Sequence, residues 1–263
     1  MLDPHEPLSP GTSRAIGVGA VTLVLLAWSA VAGLDLVSSA RLPAPWEVLH
    51  ALVDLTHNPA REGSPLLEAV LASGSRILLA ALLTVAVGVP VGTLMGASPR
   101  VNAALSPLVD PFRSAPIVSV LPILVMWLGI GELMKVSFLW LGGVVYLIPM
   151  VRDAIVAVPK AYHDKAIDLG ATPVEAILHT VFPLARPRIA DGLIVAVSIQ
   201  WTYITVAEYV NATSGIGKLI SDSKRFSAMD QVFAEIATII VLALATYSAM
   251  VWTKRKLFPW ETT

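Results

Sequence analysis

Few residues in this 263-residue chain could do chemistry, and their spacing excludes more than it offers. The run "SGIGKL" (214–219) has the glycines and lysine of a phosphate-binding loop. Such a loop needs its first glycine where Ala212 stands and a Ser or Thr where Leu219 stands. No other stretch supplies one, so the chain is expected not to hydrolyse ATP. The histidines (His5, His50, His57, His163, His179) are scattered without ligand spacing, which predicts no metal site. Cysteine is absent, which excludes disulfides and thiolate chemistry. No catalytic residue is expected. A formal net charge of -1 argues against a nucleic-acid partner.

What remains is a polar insert, "AYHDKAIDLGATPVEAILHTVFPLARPRIADG" (161–192), in apolar surroundings. The elements that must position it are membrane helices. Hydrophobic residues make up 56% of the chain and charged residues 14%, against about 25% charged in a soluble domain. A helix needs about 20 apolar residues to cross a bilayer, and six runs reach or approach that length: 15–34, 69–96, 114–131, 133–151, 189–210 and 232–252. Period-2 alternation, the mark of a membrane barrel, is missing. "SAVAG" (29–33) resembles a signal-peptide cleavage site, but the run before it is long enough to span, so a retained first helix is expected. Lys and Arg favour the side carrying Arg14, Arg100, Arg152, Lys160 and "TKRK" (253–256), which predicts cytoplasmic termini. Residues 34–65 and 211–230 then lie outside, 97–102 is a short inner turn, and the polar insert is the long inner loop.

Within the insert, a helix is expected from Pro159 to Leu169, ended by Gly170 in a left-handed conformation. Thr172, Pro173 and Glu175 then compose a capping box for a second helix. Val174, Ile177, Leu178 and Val181 should form its apolar face. Pro183 and Pro187 should interrupt it before the fifth span. A rigid, bent, charged-and-apolar unit on the inner face reads as a docking element for a cytoplasmic partner. The bland reading is an amphipathic interfacial loop.

The segment resembles the cytoplasmic motif of ABC importer permeases: Glu-Ala-Ala, three residues, Gly, nine residues, Ile-x-Leu-Pro. Asp164 takes the Glu place, Lys165 and Ala166 the Ala places, and Gly170 the Gly place; Thr180, Phe182 and Pro183 take the Ile, Leu and Pro places. Asp for Glu keeps the charge and shortens its reach. "LPAPWEVLHAL" (42–52), "PLVDPFRSAPIVSVLPILVMWLGIGELMKV" (107–136), "AEYVNATSGIGKLI" (207–220) and "KRKLFPW" (254–260) resemble, in order, the nitrate/sulfonate/taurine branch of that family. The resemblance implies an all-α integral membrane protein of the type I ABC importer permease fold, with six transmembrane helices and a cytoplasmic coupling helix. It also implies one permease domain over 1–263, with a core of about 69–252 and a coupling segment of about 159–183. Asp164, Lys165, Ala166, Leu169, Gly170, Ala171 and Pro183 are then the residues that couple to the ATPase. The implied partners are a second permease copy forming a homodimer, two ABC ATPase subunits that use ATP and Mg, a periplasmic or lipid-anchored substrate-binding protein, and membrane lipid. The implied location is a bacterial inner membrane. The implied cargo is a small anion such as a sulfonate, taurine, nitrate or bicarbonate; the alternative is an aromatic acid or vitamin precursor. No cofactor is expected on this chain.

Rival classes are an ATP-independent secondary transporter or channel, which should show repeats and midplane charges, and a scaffold subunit without a pathway. Met126, Gln200, Trp201, Tyr203, Thr205 and Glu208 are pathway candidates. For Glu208, near the end of the fifth span, an ion pair or hydrogen bond is the preferred role. Pro111, Pro116 and Pro122 predict bends in the third span.

Overall fold

The computed structural model describes residues 9–34, 36–57, 64–210 and 213–261. His5, Arg61 and Ala212 lie outside them. Every regular element among the described residues is helical. They are α1 (Pro10–Gly33), α2 (Pro45–Thr56), α3 (Pro65–Ala97), α4 (Pro99–Val109), α5 (Leu121–Leu128), α6 (Glu132–Val156), α7 (Lys160–Asp168), α8 (Pro173–Ala176), α9 (Phe182–Tyr209), α10 (Ile216–Arg225) and α11 (Met229–Leu257). Among the described residues, five helical stretches are long and apolar enough to cross a membrane, or six when a bent pair is counted as one span. The chain divides into two compact units, Met1–Leu66 with Ile220–Ala237, and Leu67–Leu219 with Thr238–Thr263.

The second unit is built on α3, α6 and α9. Gly88, Gly92 and Gly96 recur every fourth residue along one stripe of α3 and lie against Leu147, Val151 and Ile155 of α6, which share that period. A Cβ at any of the three would overlap the facing side chain, so the stripe brings the two backbones close. Phe138, Leu139, Leu147, Val151 and Ile204 are buried around these contacts.

Two expectations need correction, while the bend expected in the third span is found at Pro111 and Pro116. The helix axis turns by 99° between Pro99–Arg113 and Ile117–Leu128. Pro111 and Pro116 deprive the backbone of two N–H donors here, and 3₁₀ turns at Asp110–Arg113 and Ile117–Val120 replace the α-helix. Arg152 of α6, 3.1 Å from Asp110, and the Tyr146 hydroxyl, 3.4 Å from the Arg113 carbonyl, hold the bend to α6. The inner turn does not run through 97–102: α4 begins at Pro99, capped by Ser98, whose hydroxyl accepts from the Val101 N–H at 3.4 Å.

Finally, Pro183 and Pro187 do not interrupt the chain. Helix continues from Pro173 to Tyr209 because residues Ile177–Val181 form a π-turn, in which the Phe182 N–H reaches back to the Ile177 carbonyl. The widened turn relieves the clash of the Pro183 ring with the preceding turn.

Candidate functional site

The polar insert folds as the capping signals dictate. α7 ends in a Schellman motif: the Gly170 N–H bonds the Ile167 carbonyl at 2.9 Å and the Ala171 N–H bonds the Ala166 carbonyl at 3.0 Å. Gly170 has φ +94°, and no atom lies within 4 Å of where its Cβ would be, so the glycine is needed for the backbone turn and not for space. The capping box then forms. The Thr172 N–H donates to Glu175 Oε2 at 2.8 Å, and the Glu175 N–H donates to Thr172 Oγ1 at 3.3 Å.

The faces differ from the sequence reading. Ala176, Val181 and Ala185 turn inward, while Val174 and Leu178 are exposed. The π-turn resets the helical phase, which moves these two residues off the packed face. Leu169 is 89% exposed, and Tyr162 on α7 is also exposed. The bent unit therefore presents apolar Tyr162, Leu169, Val174 and Leu178 to its surroundings, beside charged Lys160, Asp164, Lys165 and Asp168. Asp164 Oδ2 is 2.8 Å from Lys160 Nζ one turn earlier, so the carboxylate named in the motif is paired within its own helix. That bond holds the Asp164 carboxyl below its ordinary range and raises the Lys160 ammonium.

A second constellation lies at the far ends of the spans from this insert. Glu208 is fully buried near the end of α9. Its Oε1 is 2.6 Å from Arg76 Nη1, its two oxygens are 2.7 and 2.9 Å from the Ser73 hydroxyl, and Oε2 accepts from the Gly217 N–H at 2.8 Å. Arg76, also buried, gives Nε and Nη2 to Glu132 at 2.6 and 2.7 Å, and bonds the Ser214 carbonyl and hydroxyl at 2.9 and 2.8 Å. Lys135 Nζ adds a contact to Glu132 at 3.0 Å. The glycines of "SGIGKL" thus serve a carboxylate of their own chain. Gly215, at φ +110°, passes so close that a Cβ would overlap both Glu208 and Arg76.

This clasp ties α3, α6 and α9 to the loop 213–217. The sequence places Glu208 in an ion pair or hydrogen bond, as found, but does not name Arg76 as its partner. No short-range spacing links positions so far apart.

The remaining pathway candidates separate by exposure. Gln200 is fully buried beside Gly143 of α6, and its Nε2 donates to Thr84 Oγ1 on α3 at 2.9 Å. Trp201 is buried as well. Gln200 and Glu208 face the interior of the unit, whereas Trp201 lines an apolar cavity of about 490 Å³ with Ile77, Val197 and Leu242. Tyr203, with its ring 5.6 Å from Phe138, and Thr205 are half-buried, whereas Met126 on α5 is exposed.

Residues 88–259 match the family described as "Binding-protein-dependent transport system inner membrane component". The chain belongs to that family. It is a membrane-spanning permease subunit of the ABC importer class, whose members are not themselves enzymes. The permease is 33% identical over 258 residues to the taurine transport system permease protein TauC of Escherichia coli (strain K12), covering 97% of this chain and 92% of the relative. It is 28% identical to the putative aliphatic sulfonates transport permease protein SsuC of Bacillus subtilis (strain 168), covering 91% and 85%. In fold it resembles a chain of the inward-facing MetNI methionine ABC transporter, with a TM-score of 0.63 and 19% identity, covering 75% of the permease and 96% of that chain. The all-α, type I importer permease architecture expected from the sequence is therefore the one found.

Proposed function

We propose that this permease, as a pair of identical copies, forms the pathway for a small organic sulfonate, with taurine the first choice. Two ATPase subunits drive it and a binding protein delivers the cargo from the far side of the membrane. Residues 159–183 lie in the cytoplasm with both termini and enter a groove on each ATPase. ATP and Mg act on that partner, and this chain binds neither.

The carrying observation is the exposed apolar set on the bent unit. Tyr162, Leu169, Val174 and Leu178 stand on two short arms fixed by a Schellman turn and a capping box. An apolar surface held rigidly outside the spans suits a protein partner. Leu169 and Ala166 supply close packing, and Lys165, Ala171 and Pro183 fix the arms' edges. A partner that binds the arms more tightly in one state of the pathway shifts the equilibrium toward it. The sulfonate reading rests on likeness to taurine and sulfonate permeases over almost the whole chain. Arg76 is consumed by two carboxylates, so it is not the cation that meets a sulfonate. Met126, Tyr203 and Thr205 are the candidates with surface to offer.

The test is uptake into proteoliposomes containing the permease, its ATPase and its binding protein. Taurine or an alkanesulfonate should accumulate only with ATP inside. Uptake without ATP would contradict the coupling, and stimulation by an aromatic acid or vitamin precursor instead of a sulfonate would replace the substrate.

A further inference from the structure

The second helix, α2, has three faces. Successive residues of an α-helix are rotated by about 100°. Val48, Ala51 and Leu55 fall on one arc and are buried. Trp46, Leu49 and Val53 fall on a second arc and are 51, 63 and 58% exposed. Glu47, His50 and Asp54 fall on a third. An ordinary surface helix needs two faces, one for the core and one for water. A third, apolar and uncovered, calls for a third environment.

The depth of α2 is set by α1. α1 is 24 residues long, about 36 Å at 1.5 Å per residue, which is enough to cross a hydrocarbon core of about 30 Å. Its C-terminal end at Gly33 is therefore at a membrane–water boundary. The start of α2 is clamped there: the Trp28 indole of α1 donates to the Pro43 carbonyl at 3.0 Å, and a Cβ on Gly33 would lie 3.9 Å from the Trp46 ring. A tryptophan at the end of a span is at the depth such side chains favour.

We propose that α2 lies flat in the membrane–water interface, with Trp46, Leu49 and Val53 in the acyl region of the lipid. Val48, Ala51 and Leu55 face the protein, and His50 and Asp54 face water. The arcs follow one another around the helix in the order protein, lipid, water, as at a corner where the three meet. A helix standing away from the bilayer would hold Leu49 and Val53 in water along its length. The occupant is lipid and not a binding protein, because the exposed arc continues the apolar surface of α1 at the depth where the Trp46 ring lies beside Gly33. The arrangement makes α2 an anchor that fixes the chain between the first two spans.

The chain has no cysteine, so single cysteines at Leu49, Val53, His50 and Asp54 can each carry a nitroxide without background. The labelled permease, in its complex, is placed in nanodiscs of phosphatidylethanolamine and phosphatidylglycerol. Collisions with oxygen should dominate at 49 and 53, and collisions with an aqueous nickel chelate at 50 and 54. Equal nickel access at all four positions would overturn the proposal. So would nickel access at 49 and 53 that disappears only when binding protein is added, which would make the arc a protein-docking face. Hydroxyl-radical footprinting of the unsubstituted protein in the same nanodiscs gives a check free of mutation. Trp46 should be oxidised far more slowly than in the denatured chain, and equal rates would contradict lipid burial.

Discussion

Arg76 and Glu208 stand 132 residues apart in the chain and 2.6 Å apart in the fold. Both side chains are almost fully enclosed, at 4% and 0% exposure. Burial raises the stakes of this pair, because removing Arg76 leaves the Glu208 carboxylate enclosed without a cation. Arg76→Met alone should destabilise the permease by about 3–5 kcal/mol, the usual cost of breaking a buried pair. Arg76→Met combined with Glu208→Met should cost clearly less than the sum of the two single changes. Thermal unfolding in nanodiscs measures this, and strict additivity would show that the pair is not coupled.

Gly215 is needed for both conformation and space. Gly215→Ala meets a positive φ and overlaps the Arg76–Glu208 pair, so a penalty of at least about 1–3 kcal/mol is expected from the backbone alone. Gly131→Ala is the control: it caps α6 at φ -159° with open space around its Cβ position, and should change stability little. If both variants melt alike, the close approach at Gly215 is not needed for stability.

Gly170 makes the opposite case, since nothing crowds it and only its φ of +94° matters. Gly170→Val should strain the turn by about 1–3 kcal/mol and tilt α7 away from α8. Gly170→Asn should keep most function, because Asn tolerates left-handed backbone. Uptake and substrate-stimulated ATP hydrolysis should fall together for Val at normal membrane levels. Val and Asn variants of equal activity would remove the requirement for the turn.

Asp164 gives a prediction with a direction in pH. Its carboxyl titrates lower in the folded chain because Lys160 bonds it, so the pair's contribution is full above the ordinary Asp range near 3.9. It is lost as pH falls through the lowered value. Hydrogen exchange in α7 should thus be level from pH 6 to 8 after correction for intrinsic rates, and protection should drop only in strong acid. Loss of protection across neutral pH would show that another group controls α7.

The legible parts of this fold were those written in local chemistry. Gly170, Thr172, Pro173 and Glu175 announce their turn and cap because each acts on backbone groups a few residues away. The spans are visible because apolar length alone defines them. The clasp was half legible: Glu208 stands out as a charge in a span, but Arg76, Ser73 and Glu132 reach it only through tertiary packing. Proline was the least reliable sign. Pro116 stands at a 99° bend, whereas Pro183 lies in continuous helix, because a π-turn absorbs one and nothing absorbs the other. Gln200 is legible as a polar residue within a span, but its partner Thr84 and its close approach to Gly143 arise only from tertiary packing.

Residues 159–183 are proposed to dock on an ATPase, and Leu169, 89% exposed at the tip of the bent unit, is the place to test it. A single cysteine at Leu169, in a chain with none of its own, is paired with single cysteines along the groove of the partner ATPase in the transport-active complex. Oxidative crosslinking should give a permease–ATPase adduct at one groove position, with a yield that changes when ATP is bound. Absence of any adduct from Leu169→Cys across the groove, in a complex that still transports, would show that the bent unit does not dock there.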